Sequence, residues 1–352
     1  MIQKQFDIRF PAEWEEQSGA MLTWPHVDSD WREIMVEVIP CFVSIAQEII
    51  KREKLLIVCR NIAEVKRDLG NVDLKQIVFR EIESNDSWAR DHGPISITVN
   101  GNPFICDYAF NGWGMKFAAN LDNQINKKLY ASKAFDPSIA YQSMLHCVLE
   151  GGSIESDGCG TLLTSTECLL SDNRNEYKSK EEIGDYLKLM LGIERILWLN
   201  HGYLEGDDTD SHIDTLARFC TPQTIAYVQC LDMHDPHFEA LHAMEKELKS
   251  FLTIDNKPYQ LIALPMADVV MDNHCRLPAT YANFLIINKA VLMPFYNSPK
   301  DAIAQECLQK AFPDREIVGI NCLPLIKQHG SLHCVTMQFP KSIKFAAADS
   351  TA

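Results

Sequence analysis

The stretch LEGDDTDSHIDTLARFCTPQTIAYVQC runs from Leu204 to Cys230 and joins a polar loop to two short apolar runs. The runs are separated by turn residues, a pattern typical of a β-hairpin. The loop is acidic, and its carboxylates surround a single histidine, His212. The stretch therefore predicts a hairpin whose entry is rich in groups that bind either a metal ion or a small organic cation.

The same order of elements recurs along the chain. Hairpin-like pairs of strands begin near Ile95, Ser153, His212 and Thr280, and a lone strand begins at Ser331. We predict that the lone strand pairs with MLTWP near the N-terminus. Single apolar strands precede these pairs, at KQIVFREI, MLHCVLE, ERILWLN, YQLIALP and REIVGINCL. Amphipathic helices are predicted at SKEEIGDYLKLML, HDPHFEALHAMEKELKSFL and SPKDAIAQECLQKAF.

The copies start roughly 50 to 70 residues apart, the scale of repeated supersecondary units. Five units of strand, hairpin and helix predict an α/β fold of the five-bladed, pseudo-symmetric propeller type. Doubly wound parallel folds alternate single strands with helices and lack repeated hairpins. We predict a single domain over residues 1–345 and a disordered tail over residues 346–352.

Composition excludes several classes of function. The chain has 352 residues, of which 46% are hydrophobic and 23% charged, as in globular proteins. A net charge of −15 argues against nucleic acid and anionic membranes as partners. The N-terminus lacks a signal-peptide pattern, and twelve scattered cysteines without C-x-x-C indicate reduced thiols. We therefore expect a cytoplasmic protein, and a homodimer is compatible with the sequence.

Polar residues stand at the same place in several units, between the apolar strand and the following hairpin. These are Asp91 in NDSWARDHGP, Glu150 in LEGG, His212 and Asp214 in GDDTDSHID, and Cys334 in QHGSLHC. If the units surround an axis, the junction loops converge at its centre. Catalytic groups commonly lie on loops that a rigid scaffold positions.

His212 and Asp214 are two residues apart at the expected start of a strand, so both side chains point to one face and Ile213 to the other. Such a pair can be a simple surface feature. It can also ligate a metal, but zinc prefers further His or Cys ligands, and H-E-x-x-H is absent. An oxygen-only site for magnesium or calcium stays open, although the spacing is not that of an EF-hand.

Each of the other junction residues also has both a structural and a functional interpretation. Asp91 could form a structural ion pair with its neighbour Arg90, and Trp88 could be a core residue or a pocket wall. Trp113 lies between glycines in NGWG, where the backbone either turns or approaches a ligand closely. Glu150 ends an apolar run, so we expect a half-buried carboxylate that needs a partner charge or a raised pKa.

Cys334 competes with eleven other cysteines, most of which sit in apolar runs. It follows His333 at a junction, and an adjacent cation, either a side chain or the substrate, would favour its thiolate. A Cys–His pair used for acyl transfer needs one acid, whereas this set has three, Asp91, Glu150 and Asp214. Three carboxylates suit a planar cation with several N–H donors, which is a guanidinium.

With these residues assembled, the chain resembles the agmatine deiminase and bacterial peptidylarginine-deiminase-like family of the guanidine-modifying (pentein) superfamily. The resemblance covers nearly the whole chain. It rests on motifs in the family's order: FPAEWEEQSGAMLTWPHVDSDW, NDSWARDHGP, LEGGSIESDGCGTLLTSTECLL, GDDTDSHIDTLARF and HGSLHCVTMQFP. The family fold is a five-bladed α/β propeller, which agrees with the repeat.

The resemblance implies roles for the matching residues. It implies that Cys334 is the nucleophile of an amidino-enzyme (thiouronium) intermediate and that His212 is the general acid and base. Asp91 and Asp214 would clamp the guanidinium, and Glu150 would be a further partner of the guanidinium and the histidine. The pocket candidates are Trp88 and, by weaker analogy, Asp208 and Trp113.

The expected reaction is deimination of agmatine to N-carbamoylputrescine and ammonia, a step toward putrescine, without a metal or an organic cofactor. Free arginine and peptidyl arginine are alternative substrates. The family's agmatine-specific members carry a glycine-rich run ending in Asn-Ile-His-Cys, whereas residues 327–334 read KQHGSLHC here. This departure concerns the tail of the substrate. A metal-dependent hydrolase and a non-catalytic amine-binding protein are the alternative classes.

Overall fold

The computed structural model describes residues 6–175 and 178–346. Nineteen strands fall within these ranges: β1 Ile8–Arg9, β2 Gln17–Thr23, β3 Lys54–Cys59, β4 Ile77–Glu81, β5 Ile95–Val99, β6 Asn102–Ala109, β7 Ala140–Val148, β8 Ile154–Ser156, β9 Thr161–Ser165, β10 Arg195–Leu199, β11 Ala217–Thr221, β12 Thr224–Gln229, β13 Gln260–Pro265, β14 Met271–Asp272, β15 Cys275–Arg276, β16 Leu285–Ile287, β17 Ala290–Phe295, β18 Glu316–Asn321 and β19 Thr336–Pro340.

The α-helices in the same ranges vary from one turn to more than four turns. They are α1 Met35–Ile50, α2 Ile62–Leu69, α3 Ala89–His92, α4 Gly112–Met115, α5 Ile125–Ala131, α6 Thr166–Leu169, α7 Lys180–Leu191, α8 Phe238–Ser250, α9 Lys300–Ala311 and α10 Leu323–Ile326. The three helices that the sequence predicts, α7, α8 and α9, are confirmed. At the start of α7 a capping box forms, in which Ser179 and Glu182 each bind the other's backbone N–H.

The described strands form five sheets of three or four strands and one two-stranded hairpin, β14–β15. The sheet orders are β1-β5-β6-β7, β8-β9-β10, β11-β12-β13, β16-β17-β18 and β19-β2-β3-β4. In the first four sheets an antiparallel hairpin is followed by a strand that runs parallel to the hairpin's second strand. Repetition of this arrangement confirms the predicted hairpins.

The fifth sheet joins the two ends of the chain. Strand β19 pairs antiparallel with β2, with Thr336 opposite Leu22 and Phe339 opposite Gly19. The predicted pairing between the last strand and the segment MLTWP is therefore confirmed. Because β3 and β4 then add in parallel, this sheet has the same order of pairing as the other four.

Each single apolar strand belongs to the sheet of the preceding hairpin. Strands β4, β7, β10, β13 and β18 complete one sheet each, and the chain then crosses to the next sheet. The polar junction loops are these crossings between sheets. This topology explains why loops that are far apart in sequence can carry side chains to one place.

The core consists of two clusters of buried apolar side chains. One cluster includes the buried face of α1 (Val38, Phe42 and Ile45) and strands β12 and β17, and the other surrounds β5 and β6. Burial of one such side chain contributes about 1.5–3 kcal/mol. This packing fixes the sheets that hold the crossing loops.

The C-terminal segment is described as far as Ala346, whose N–H donates to the carbonyl oxygen of Ala134 at 3.0 Å. The rest of the tail predicted for residues 346–352 lies outside the described residues. In the described ranges, no helix combines the length and the apolar character that a membrane span requires.

Candidate active site

The predicted catalytic side chains all lie on crossings between sheets. Asp91 is in α3 between β4 and β5, and Glu150 follows β7 directly before a 3₁₀ turn. His212 precedes a 3₁₀ turn at Ile213–Thr215 between β10 and β11, and Cys334 lies two residues before β19. The expectation that His212 and Asp214 start a strand is wrong, because β11 begins at Ala217.

His212 is presented by a strained piece of backbone. Asp210 and Ser211, directly before it, have φ of 63° and 61°, a left-handed conformation that non-glycine residues rarely adopt. The Ser211 N–H donates to Asp207 Oδ2 at 2.8 Å, and the His212 N–H donates to Thr209 Oγ1 at 3.1 Å. These bonds hold the imidazole in place, and such strain is typical of functional sites. Ile213 is fully buried, as predicted.

Three of the predicted side chains converge on Gly152. A Cβ placed on Gly152 would lie 2.6 Å from Nδ1 of His212, 2.8 Å from Oδ1 of Asp91 and 3.2 Å from Oδ2 of Asp214. Three polar atoms from two sheet crossings therefore approach one point on a third crossing, that of Gly152. The first two distances leave no room for a side chain, so the geometry requires glycine here.

Asp91 is oriented by two donors. The backbone N–H of Gly152 donates to Oδ1 at 3.1 Å, and the indole N–H of Trp113 donates to Oδ2 at 2.9 Å. Burial raises the pKa of Asp91 to about 6, and the charges of Asp214 and Glu150 act in the same direction. The structural ion pair with Arg90 does not form, because the Arg90 guanidinium contacts Gln338 and Glu13 instead.

Trp113 reaches Asp91 from a left-handed turn. All four residues of α4, from Gly112 to Met115, have positive φ, and Trp113 itself has φ of 55°. Its indole packs edge-on against Trp88, with ring centroids 6.4 Å apart. A Cβ on Gly330 would lie 2.1 Å from Cζ3 of Trp88, so the backbone of the Cys334 loop rests directly on this ring. Trp88 is therefore a wall of the site.

His212 and Glu150 form a fully buried pair. Nε2 of His212 is 3.1 Å from Oε2 of Glu150, and Nδ1 is 3.6 Å from Oδ1 of Asp91. Burial alone would lower the pKa of His212, but the charge of Asp91 and contacts with Cys168 and Glu150 raise it well above its ordinary value. The imidazole is therefore held in its protonated, acid form.

Glu150 is more buried than the sequence suggests. It is 0% exposed, and Nε of Arg174 donates to Oε2 at 2.7 Å. Burial alone would raise the pKa of Glu150, but the bond with His212 and the charge of Arg174 lower it. The carboxylate stays ionised next to His212.

Asp214 is held by His333 through Oδ2, the same oxygen that approaches Gly152. Nδ1 of His333 lies 2.7 Å from Oδ2 of Asp214. Burial would raise the pKa of this carboxyl, but the bond and charge of His333, together with His212 and Arg218, lower it.

The Cys334 thiol lies at the same centre. Sγ is 3.9 Å from Oδ2 of Asp214 and 3.3 Å from the side-chain nitrogen of Asn283. Burial raises the pKa of Cys334 well above its ordinary value, and the charges of Asp214 and Asp91 raise it further. Without a cation between these groups, the sulfur is held as the neutral thiol.

Three buried polar atoms of this set have no hydrogen-bond partner among the described residues: Nδ1 of His212, Oε1 of Glu150 and Oδ1 of Asp214. Buried polar atoms without partners are rare and need an explanation. The two open carboxylate oxygens, close to a thiol, fit a ligand that brings several N–H groups, and the protonated Nδ1 of His212 can donate a proton to it.

An adjoining cavity of about 120 Å³ leads outward from Cys334 and Asp91. Trp88, Trp113 and Asp208 also line it, as predicted, and its exposed end includes Asp30. The remaining lining residues are Asp86, Phe117, Thr209, Gln328, His329 and Gly330.

The model of the Porphyromonas-type peptidyl-arginine deiminase family matches residues 9–340. The chain belongs to this family. A Porphyromonas gingivalis protein provisionally named an arginine deiminase shares 51% identity, with 96% of this chain and 99% of that chain covered and a TM-score of 0.93. A cysteine-to-serine variant of C. jejuni agmatine deiminase with substrate bound shares 36% identity over 99% of each chain, with a TM-score of 0.90. The agmatine deiminase of Pseudomonas aeruginosa shares 31% identity over 95% of each chain.

A more distant likeness concerns the fold alone. An amidinotransferase from Microseira wollei is 12% identical, with 95% of this chain and 97% of that chain covered and a TM-score of 0.50. The fold of this family member is therefore a mixed α/β fold similar to that of the amidinotransferase.

Several residues of the family site escaped the sequence analysis. Asn283 lies at the crossing before β16. This position in the fourth unit is equivalent to the positions of the predicted residues in the other units, so the repeat could have identified Asn283. Arg174, which pairs with Glu150, lies in the loop before α7 and carries no such signal. Asp30, Asp86 and His329 line the cavity without belonging to a repeated pattern.

Two groups of side chains have metal-ligand composition: Glu150, Cys168 and His212, and Glu13, Glu155 and His333. In the first group Arg174 already binds Glu150 Oε2, and in the second Arg218 binds Glu13 and Glu155. A divalent cation in either group would face a guanidinium at short range. The donor sets therefore fit an arginine-compensated interior better than a metal site.

Proposed function

We propose that the chain is an iminohydrolase that deiminates a guanidino compound, agmatine above all, to N-carbamoylputrescine and ammonia. The observation that carries the proposal is the set of buried atoms without partners, from Glu150, His212 and Asp214, beside the Cys334 thiol. A guanidinium brings planar N–H groups that satisfy the two carboxylates. The agmatine deiminases among the relatives support the same reaction.

The proposed reaction has two halves. Asp91 and Asp214 grip the guanidinium, and the sulfur of Cys334 attacks its central carbon. His212 gives a proton to the departing nitrogen, so the C–N bond breaks and ammonia leaves a thiouronium. His212, now neutral, takes a proton from water, which adds to the same carbon and releases the thiol. One guanidinium and one water become one urea group and one ammonium ion.

The electrostatics of the unliganded site support a thiol that is activated by its substrate. The charges of Asp214 and Asp91 contribute to the raised pKa of Cys334. A guanidinium between these carboxylates neutralises that field and adds a positive charge near the sulfur. The thiolate therefore forms when the cation is bound.

The outer part of the cavity favours a substrate with an ammonium tail. Asp30, Asp86 and Asp208 line it, and no Lys or Arg is among the described residues that do. Burial raises the pKa of Asp86 to about 7, and the charge of Asp30 adds to this effect. An ammonium group would relieve this repulsion, whereas the α-carboxylate of arginine would increase it.

The fold supports the site by its repeated pairing order. We propose that the five sheets surround a common axis as a five-bladed propeller and that residues 1–345 form one domain. The five crossings that would then meet at the centre carry Asp91, Glu150, His212, Asn283 and Cys334. The pairing of β19 with β2 joins the two ends of the chain in one sheet, and this supports a closed ring of sheets.

We also propose a reducing compartment, the cytoplasm, because all twelve cysteines are unpaired. Assembly as a homodimer remains part of the proposal, and exposed apolar side chains such as Val36, Leu231 and Met233 support it. Sedimentation equilibrium would test the dimer.

The direct test of the reaction is ammonia release from agmatine by wild type and by Cys334→Ser. We expect at least a thousandfold loss in the variant, since nucleophile removal in such units has effects of this order. Cys106→Ser is the matched control, because Cys106 is buried in β6 and does not line the cavity. Undiminished turnover by Cys334→Ser would contradict the proposed nucleophile.

A panel of substrates and a chelator separate the alternatives. We expect turnover of agmatine to exceed that of arginine and of an arginyl peptide, because the outer cavity is acidic. Activity that EDTA abolishes would indicate a metal-dependent hydrolase instead. Tight binding of agmatine without ammonia release would indicate a non-catalytic amine-binding protein.

A further inference from the structure

A cluster of buried charged side chains lies directly behind the candidate site. We call it the interior charge cluster, and it consists of Glu13, Arg90, Glu155, Arg218 and His333, each at most 7% exposed. Arg218 is its centre. It binds Glu155 through Nε, Glu13 through Nη2 at 2.7 Å and the carbonyl oxygen of Phe284 through Nη1 at 2.6 Å.

His333 connects this cluster to the site. Its Nδ1 lies 2.7 Å from Oδ2 of Asp214, and its Nε2 lies 2.9 Å from Nη2 of Arg218 and 2.8 Å from Oε2 of Glu13. Its backbone N–H donates to Oδ1 of Asn283 at 2.8 Å, so the main chain is fixed as well. Both ring nitrogens are thus engaged by groups other than the Cys334 thiol.

The surroundings select one protonation state of this imidazole. The ionised carboxylate of Asp214 can only accept, so Nδ1, 2.7 Å from it, must carry a proton. Nε2 meets both a donor, Nη2 of Arg218 at 2.9 Å, and an acceptor, Oε2 of Glu13 at 2.8 Å. Because the lowered pKa of His333 favours a neutral ring, we assign the lone pair to Nε2, where it accepts from Arg218. Burial lowers the pKa of His333, and the charges of Arg218 and Arg90 lower it further, against the opposing effect of Glu13. The charge of Glu13 is already compensated by Arg218.

The donated proton determines how Asp214 presents its two oxygens. Oδ2 is bound by His333, and Oδ1 is left without a partner among the described residues. Rotation of the carboxylate would break the bond to His333 and leave a buried N–H unsatisfied, which costs about 1–3 kcal/mol. Oδ1 is therefore held free for the substrate.

We propose that His333 is a positioning residue, which holds Asp214 through its Nδ1–H and is locked in that tautomer by Arg218. The inference rests on the proposed function, because it assigns the free oxygen of Asp214 to the guanidinium. It adds a residue that contacts neither substrate nor sulfur. Outer partners of this kind commonly affect activity by about 10- to 100-fold.

Two amide variants separate the two nitrogens of the ring. In His333→Asn the side-chain amide stands near the position of Nδ1 and can still donate to Asp214. In His333→Gln the amide reaches the position of Nε2 and leaves Asp214 without its donor. We expect kcat/KM for agmatine within about tenfold of wild type for His333→Asn and about a hundredfold lower for His333→Gln.

The pH profile distinguishes positioning from a merely structural effect. Loss of the donated proton removes a bond to the charged form of Asp214, so its pKa rises. Below the acid limb that Asp91 sets, kcat/KM should therefore fall more steeply in His333→Gln, because Asp214 then protonates as well, and keep the wild-type slope in His333→Asn. Equal losses in both variants, or wild-type activity in His333→Gln, would overturn the proposal.

A measurement on the wild-type protein covers the case in which His333→Gln fails to fold. Nitrogen-15 chemical shifts of the labelled imidazole should show a neutral ring with its proton on Nδ1 between pH 6 and pH 8. A proton on Nε2, or an imidazolium in this range, would overturn the inference. Wild-type protein that releases no ammonia from any guanidino compound would contradict the proposed function alone, since the tautomer is read independently of turnover.

Discussion

The candidate site and the interior charge cluster contain the same kinds of side chain but differ in how these are satisfied. In the site, Glu150, His212 and Asp214 each keep one buried polar atom without a partner among the described residues. In the cluster, both carboxylates, Glu13 and Glu155, bind Arg218. Burial and charge are thus alike in the two regions. The open atoms of the site include two carboxylate oxygens, whereas the open atom of the cluster is a nitrogen, Nη2 of Arg90, so only the site offers free acceptors to a cation.

This difference has an energetic reason. Buried charges that are fully paired hold elements together, and removal of one partner leaves an uncompensated charge. Buried carboxylates that face each other without a cation destabilise the unliganded protein. Asp91 is nearest to that situation, because burial and the charges of Asp214 and Glu150 raise its pKa. The site therefore gives up some stability for binding, whereas the cluster contributes stability.

The largest effect that we expect comes from neutralising one carboxylate in each region. Asp214→Asn should lower kcat/KM for agmatine by about a thousandfold, because it removes a preorganised charge from the substrate. Its thermal stability should stay near that of wild type. Glu155→Gln should instead lower the free energy of unfolding by about 3–5 kcal/mol, because Arg218 loses a buried partner.

Urea denaturation and steady-state kinetics of both variants check this contrast. Each variant is the other's control, since both replace one buried carboxylate by its amide. The comparison fails if Asp214→Asn unfolds as easily as Glu155→Gln while retaining activity.

The next effect concerns the glycine on which the site converges. Gly152→Ala should lower kcat/KM by about a hundredfold, because its Cβ would meet His212 Nδ1 at 2.6 Å and Asp91 Oδ1 at 2.8 Å. Displacement of catalytic groups by about 1 Å can have this magnitude.

Gly184→Ala is the matched control. Gly184 lies in α7, and an added Cβ there meets only ordinary contacts, the nearest at 3.8 Å from Ile196. Full activity is expected, with a gain in helix stability of up to about 1 kcal/mol. Equal activities of the two alanine variants would contradict the proposed convergence.

A smaller effect is expected when Asp91 loses its indole donor. Trp113→Phe keeps an aromatic wall but removes the 2.9 Å bond to Oδ2 of Asp91. Hydrogen bonds to charged groups contribute about 1.5–3 kcal/mol, and the Gly152 N–H remains as a donor. We therefore expect a loss of roughly tenfold or somewhat more in kcat/KM for agmatine. Phe117→Leu, at the exposed end of the cavity, should have less effect.

The smallest effect is a dependence on pH in the acid range. Only ionised Asp91 binds a guanidinium, and its pKa is raised to about 6. The kcat/KM for agmatine should therefore fall by about tenfold per unit below pH 6. Because Trp113 stabilises the ionised form, Trp113→Phe should shift this limb to higher pH. A flat profile between pH 5 and pH 7 would contradict the assignment.

The same raised pKa has a consequence for the unliganded protein, with the opposite sign. Neutral Asp91 is tolerated when buried, so its contribution to stability is fully present below its unfolded pKa of 3.8 and is lost as the pH rises through about 6. Bound guanidinium should reduce this loss. Thermal denaturation with and without agmatine, at pH 5 and pH 7, measures both parts.

Sequence patterns predicted the scaffold well where local signals are strong. Alternating apolar residues around turns predicted the hairpins, and helical periodicity with caps predicted α7, α8 and α9. The pairing of β19 with β2 was predicted because the last unit has only one strand of its hairpin and therefore needs a partner from elsewhere in the chain. The position of His212 in a strand was wrong, because left-handed backbone at Asp210 and Ser211 and a 3₁₀ turn occupy that segment.

The sequence predicted those residues of the candidate site that lie at equivalent positions of the repeated units. That equivalence, together with the family motifs, brought out Asp91, Glu150, His212, Asp214 and Cys334. It passed over Asn283, although the same equivalence applies to it. Arg174 and His333 acquire their roles only through contacts between distant segments, which no local pattern records.

By itself, the sequence determined which segments form strands, hairpins and helices, how these repeat, and which reactive side chains the crossing loops carry. These properties depend on residues close together in the chain, where turn, cap and apolar spacing act directly. The tertiary structure decided which carboxylates are compensated, because compensation depends on arginines that are distant in sequence, such as Arg218 in β11, which binds Glu155 in β8. Asp214 and Glu155 are indistinguishable as buried acids until packing pairs Glu155 with Arg218 and leaves Oδ1 of Asp214 without a partner among the described residues.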